Sequence, residues 1–348
     1  MINFSNTELQ KIIVHKVGNK SKEEGLRLSN EQVEIKGEFL NDLLLKFFTS
    51  PFKTESYYHL FHESDLQLNE VYSFVSNIFA NPQNFAEQSE HLAKHLYEKA
   101  DHPKIKSGEF YVVYFADCMI EDEIADAIGL FKTENKETYL NVEEKGEKLD
   151  IEYDTGININ KMDKGCIIFN TEKDNGFIAS IIDNTNKNNE ALYWTDDFLK
   201  IKPREDNYYH TQNYLEVCKN FADDVLAEVD NKEQIALKNN AIKYFAQQDS
   251  FSKTEFEEKV LKDPQTAQVF NDYKDQYQQE YDITLSDDFD ISNNAVKKDK
   301  KNFKSVIKLD KNFHIYVHGA AGRITKGFDP ERDMNYYQLF YEIEESTK

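Results

Sequence analysis

The chain is poor in residues that break or cross-link a backbone. Its 348 residues include three cysteines, six prolines, twelve glycines and one tryptophan. Cys118, Cys166 and Cys218 are odd in number, far apart and outside CxxC spacing, which excludes a disulfide framework and leaves no zinc signature. They read as core thiols. So little glycine and proline excludes collagen-like and low-complexity architecture, and the absence of a repeat at about 20 to 50 residues excludes a solenoid. No segment approaches the ~18 uninterrupted apolar residues of a membrane span. The opening Met-Ile-Asn-Phe-Ser-Asn lacks the basic start and apolar run of a secretory signal. The expectation is a soluble, cytoplasmic protein with no membrane partner.

Chemical signatures are also scarce. There is no GxxxxGK[ST], GxSxG or GxGxxG, and no cysteine in a nucleophile setting, so neither an enzyme nor a cofactor is expected. His59, His62, Glu63 and Asp65 spell HxxHExD, a set of imidazoles and carboxylates that resembles no standard zinc spacing; a metal-dependent phosphoesterase built on His59, His62 and Asp65 is the weakest reading. His91 and His95 stand four apart on a helix without the glutamate of HExxH and read as exposed helix decoration.

What the chain does have is aromatic mass. Twenty-five Phe and twenty Tyr supply buried surface that offsets a hydrophobic share of only 39%. The length suits roughly two domains. Residues 10–16 read as a strand. Helices are predicted over residues 38–48, from an N-cap at Ser64 to Asn81-Pro82, and over 85–99. From Gly108 the period falls to two, predicting an antiparallel meander over 109–120, 124–133, 137–142, 149–153, 165–170 and 177–182. Past Pro203 the pattern is helical over 211–229, 234–247 and 253–262, the last with Ser252 and Glu255 as a capping box. Asp263-Pro264 then opens a helix reaching about Tyr281. A polar stretch, 286–294, precedes a hairpin over 303–317 and a final aromatic strand, 336–343. The fold class is α+β: a mixed N-terminal domain with an antiparallel sheet, residues 1–203, then a helical domain ending in a small antiparallel sheet, residues 204–348.

Charge is unevenly placed. Residues 297–332 carry ten cations against four anions, a net of +6, which leaves −28 for the rest of a chain whose total is −22. Such segregation prepares one face for a polyanion while the remainder repels it. The alternative is a solvated lysine-rich linker. Gly319-Ala320-Ala321-Gly322-Arg323, rich in glycine and basic, lacks a following helix and reads as a strand-connecting loop.

The spelling SVIKLDKNFHIYVHG, then GRITKGFDPERDMNYYQLFYEIEE, after a helical middle and INKMDKGCIIF, resembles the bacterial 37-kilodalton nucleoid-associated protein family of the NdpA/YejK type. The shared wording concentrates in residues 157–169, 193–221 and 303–341. The resemblance implies a cytoplasmic, nucleoid-associated protein that binds duplex DNA without catalysis, in company with a type II topoisomerase. It supplies no binding residues by position. From charge, the phosphate contacts expected are Lys297, Lys298, Lys300, Lys301, Lys304, Lys308, Arg323, Lys326 and Arg332, with His314 and His318 as neutral neighbours. The structural alternative is that Arg323 or Arg332 pairs with Asp329 or Glu331. A net charge of −22 is unusual for a DNA binder, so the second function expected is an acidic module that docks on a basic DNA-handling partner such as a topoisomerase. The aromatic last strand, read as an open sheet edge, predicts a homodimer.

Overall fold

The stretches of period two become antiparallel strands, and the 3.6-residue stripes become helices laid over them. A computed structural model describes the chain except residues 54, 186–191, 227–230, 304, 318–322 and 344–348 and the side chains of residues 192, 231, 232, 305, 306 and 308. Two units separate, Met1–Arg204 and Glu205–Lys348. Among the described residues no helix is long and apolar enough to cross a membrane.

The N-terminal unit runs through β1 (Ile2–Asn3), β2 (Glu8–Val17), β3 (Leu26–Arg27), helix α1 (Glu38–Thr49), β4 (Tyr58–Leu60) and helices α2 (Glu70–Ala80) and α3 (Phe85–Lys99). It continues with β5 (Gly108–Ile120), β6 (Glu123–Thr133), β7 (Glu137–Lys145), β8 (Lys148–Gly156), β9 (Lys164–Phe169), β10 (Ile178–Asp183) and β11 (Ile201–Pro203). Nine strands form one sheet in the order β11-β4-β10-β9-β6-β5-β2-β3, with β1 beside β5. Strands β7 and β8 leave the meander as a separate two-stranded ribbon.

Helices cover both faces of this sheet. On β5, Phe110, Val112 and Tyr114 join the layer of α2 and α3, whereas Val113 and Phe115 join Phe47 and Phe48 of α1. That double burial explains why β6 and β9 read as nearly unbroken apolar runs. At Gly129 of β6 any Cβ would strike the Phe131 ring, so glycine alone lets that ring lie over the strand. Helix α2 starts later than expected, because Asn69 rather than Ser64 caps it. Its Oδ1 accepts from the Tyr72 N–H at 2.9 Å, and its Nδ2 donates to the carbonyls of Phe61, Leu199 and Lys200 at 2.9, 2.9 and 3.0 Å. Asp65 caps the short turn Leu66–Leu68 instead.

The C-terminal unit is built on α4 (Asn207–Phe221), α5 (Asn231–Gln247), β12 (Ser250–Ser252), α6 (Lys253–Phe256), α7 (Pro264–Tyr281), β13 (Asp288–Asp290) and α8 (Asn293–Asp299). Asp263 caps α7 as its spelling requires, accepting from the Thr266 N–H at 2.8 Å. One expectation fails here. The Ser252 and Glu255 capping box does not form, because Glu255 is taken by the Tyr244 hydroxyl at 3.2 Å and by Lys259. The polar stretch before the basic island contains β13, which no sequence signal marked and which pairs with β12 and brings Phe289 to 4.8 Å from Phe251. The chain ends in two hairpins, β14 (Ser305–Leu309) with β15 (Phe313–Val317) and β16 (Ile324–Asp329) with β17 (Met334–Leu339). Strand β16, which follows the expected strand-connecting loop, was not foreseen as a strand. Its pairing covers one edge of the last strand from within the chain.

A polar network fixes the end of the main sheet. Lys132 of β6 and Lys164 of β9 stand directly opposite in register, both buried. Lys132 donates to Glu134 at 2.9 Å, to the Lys106 carbonyl at 2.7 Å and to the Tyr193 hydroxyl at 3.0 Å; Lys164 is held by both oxygens of Asp183 at 2.8 Å. The Tyr193 ring lies 5.4 and 5.1 Å from the two ammonium groups. Burial lowers the Lys132 pKa, and Glu134 opposes that shift.

Lys132→Met leaves the Glu134 carboxylate buried beside Tyr193 without its cation. Urea unfolding followed by the fluorescence of Trp194, the one tryptophan, should show a loss of about 3 to 5 kcal/mol.

His15 makes a second prediction. Its Nδ1 accepts the Ser29 N–H at 3.2 Å and its Nε2 faces the Ser89 hydroxyl at 3.2 Å, a pattern only the neutral ring can satisfy. Burial pushes its pKa down from 6.5 to about 4, with Glu90 pulling up and Lys94 pushing down. The unfolded chain therefore binds the extra proton between these values, so stability is full above pH 6.5 and falls as pH drops, by up to about 3 kcal/mol at pH 4. Carboxylates with depressed pKa values begin to titrate only lower, so the upper part of this window belongs to histidine. Urea midpoints at neutral and mildly acid pH should converge in His15→Gln relative to the wild type.

Candidate nucleic-acid interface

The basic island begins on a helix, not a linker. Ser292 caps α8 by accepting from the Ala295 N–H at 3.3 Å, and Ala295 and Val296 are buried. Lys297 and Lys298 follow on exposed positions. The next turn, Lys300–Phe303, plants Phe303 in the core and leaves Lys300 and Lys301 in solvent. Four of the expected cations are thus gathered on one rigid helix end. Lys298 reaches back across 90 residues to Tyr208, donating to its hydroxyl at 3.0 Å with the ammonium 5.5 Å from the ring centre. Asp299 stands among them with a buried Oδ2 that lacks a hydrogen-bond partner; burial raises its pKa, against Asn302, Lys298, Lys219 and Lys301. Lys304 lies outside the described residues.

The remaining cations sit on the two hairpins. These share a small core in which Ile307 and Val317 meet Ile235 of α5, with Ile315, Ile324 and Tyr337 packed against it. Register sets Lys308 opposite His314 on β14 and β15, and Lys326 opposite Tyr337 on β16 and β17. His314 and Lys326 are exposed. The Lys308 side chain, His318 and the glycine-rich loop before Arg323 lie outside the described residues. Arg323 pairs with Glu342, an acid that sequence reasoning missed, while Arg332 lies 3.8 Å from Asp329 and is 80% exposed. Exposed Phe313, Tyr316, Phe328 and Tyr336 stand between these charges. Cations set along such a face are suited to the phosphates of a polyanion.

The histidines singled out in the sequence are drawn into structure. His59 donates to Glu172 at 2.7 Å, and Arg204 binds the other oxygen of that carboxylate at 2.5 Å. Burial alone would raise Glu172, yet His59 and Arg204 hold it below its usual range. His62 accepts from the Ser64 N–H, and Asp65 is a cap. His95 is not surface decoration: it is buried against the Phe198 carbonyl at 3.1 Å, and His91 packs on Phe74. Sequence spacing carried no signal for Tyr208 or Glu342, which meet their partners only through the fold.

No curated protein matches the chain. A family model described as nucleoid-associated protein YejK matches residues 13–333, a span from β2 to the turn before β17 that takes in the sheet, the helices and the basic island. The chain therefore belongs to the nucleoid-associated protein YejK family.

Proposed function

We propose that this protein binds duplex DNA in the bacterial nucleoid, in the cytoplasm, through its C-terminal basic island, without catalysis and without strong sequence preference. The observation that carries the reading is the gathering of Lys297, Lys298, Lys300 and Lys301 at the end of α8, anchored by Phe303. Lysine ammonium groups neutralise phosphates as point charges, which fixes orientation on the duplex but reads no base edge. Lys308, Lys326, Arg323 and Arg332 extend the same role along the hairpins, with Lys304 on the segment between; Arg323 must give up Glu342 to do so. The acidic remainder repels the duplex and so orients the encounter. A homodimer would double the basic surface and raise affinity through effective concentration.

A second reading, an acidic module docking on a basic DNA-handling protein such as a type II topoisomerase, is favoured by the −28 carried outside the island. Pull-down with and without nuclease separates the two: DNA tethering loses its partners on digestion, whereas docking keeps them. For direct binding, Lys300→Glu with Lys301→Glu should weaken a mixed-sequence duplex at least roughly tenfold and make the slope of log affinity on log salt shallower by about 2. Both residues are exposed, so the fold is not at stake. Unchanged affinity and slope would remove the island as the binding surface.

A further inference from the structure

The ribbon β7–β8 is amphipathic to a degree that its place in the structure does not use. Register pairs Leu140 with Tyr153 and Val142 with Ile151, and sets Leu149 beside them on the same face. These five side chains are 60 to 76% exposed. By strand alternation the other face carries Glu137, Glu143, Asp150, Glu152 and Asp154, joined by Lys145 and Lys148 near the tip. The turn is a two-residue loop whose Gly146 has φ +68°, which locks this register and so the segregation of the faces. The root is equally fixed: Asp163 accepts from the Glu134 and Asn135 N–H groups at 2.6 and 2.9 Å, and Glu137 accepts from Asn158 and Lys161.

A two-stranded ribbon with both faces in water is marginally stable by itself, and strands of this length need an apolar face to be covered. We propose that the cover is the same face of a second copy, two ribbons packing face to face into a four-stranded sandwich. Charge decides between occupants. A cationic partner laid on the apolar face would meet no acid there except Glu144 near the tip, because the other carboxylates point the opposite way. In a pair of ribbons the acidic faces are turned outward. With sheets ~10 Å apart and side chains beyond them, those faces stand roughly 20 Å from each other, more than twice a Debye length of ~8 Å, so their repulsion is largely screened. The five side chains expose on the order of 600 Å² per ribbon, and burying both sets removes on the order of 1,200 Å², within the range of specific interfaces. The contact is isologous and closes at two copies.

The inference is independent of DNA binding, and its test uses the full chain freed of nucleic acid by nuclease and high salt. In sedimentation from low to high micromolar concentration, the wild type should rise from 40.8 kDa to twice that mass. Val142→Lys with Ile151→Glu keeps an attractive cross-strand pair while placing charge in the apolar face, and should raise the dissociation constant more than roughly tenfold. Glu143→Gln with Asp150→Asn, on the opposite face, should leave it unchanged. Hydrogen exchange supplies an independent reading: amides of β7 and β8 should gain protection with concentration in the wild type and not in the apolar-face variant. A wild type that stays single throughout, or a dimer indifferent to the apolar-face variant, would overturn the proposal and leave the face to a different protein or the contact to another surface.

Discussion

Lysine resting on tyrosine is the interaction on which both units lean. In the N-terminal unit two lysines occupy directly opposed positions of neighbouring strands, an arrangement whose repulsion would part β6 from β9 if left alone. Tyr193 lies over both ammonium groups, and Glu134 and Asp183 supply the countercharge. In the C-terminal unit Lys274, buried within α7, lies 5.7 Å from the Tyr214 ring centre and donates to its hydroxyl at 3.3 Å and to Asp287 at 3.0 Å. A ring face and a hydroxyl together give a desolvated ammonium what water otherwise provides. A composition low in aliphatic residues and rich in tyrosine makes this solution available repeatedly.

The basic island applies the same pairing in a weaker, more exposed form. Lys298 rests on Tyr208, whereas Lys297, Lys300 and Lys301 are held out by their backbone alone, because Val296 and Phe303 are committed to the core on either side. The apolar anchors therefore set where the charges stand. An island of the same composition on a floating linker would offer an equal number of cations at a higher cost in ordering entropy.

The regular parts of the fold were legible because their signals are local. Alternation or a short apolar run between turn residues marked β5, β6, β9 and β10, and Asp263-Pro264 marked the start of α7 at the residue where it begins. Signals failed where tertiary contacts override a spelling. Ser252 and Glu255 form a good capping box on paper, yet Tyr244 and Lys259 compete for the glutamate. Strand β13 has a single apolar residue, Phe289, between two aspartates, too little for any periodicity to register. Helix α8 did carry a signal, Ser292 before an apolar pair, but its lysines read first as charge. For the candidate interface, the cations were legible and their settings were not. The Tyr208 contact to Lys298 and the Glu342 contact to Arg323 depend on how the chain returns on itself.

The borders of the nine-stranded sheet carry a further consequence. It ends on one side in β3, two residues long, and on the other in β11, three residues that include Lys202 and close on Pro203, which has no N–H to offer. A neighbouring backbone seeking to add a strand finds on β3 and on β11 themselves less than one repeat of a ladder, and beside β3 the outer edge of β2 gives its Ile12 carbonyl to the Val33 N–H. The outermost strands of the largest sheet are thus poor templates for fibrillar growth. A protein whose family is named for association with the nucleoid can meet its own copies there without those two strands recruiting a third.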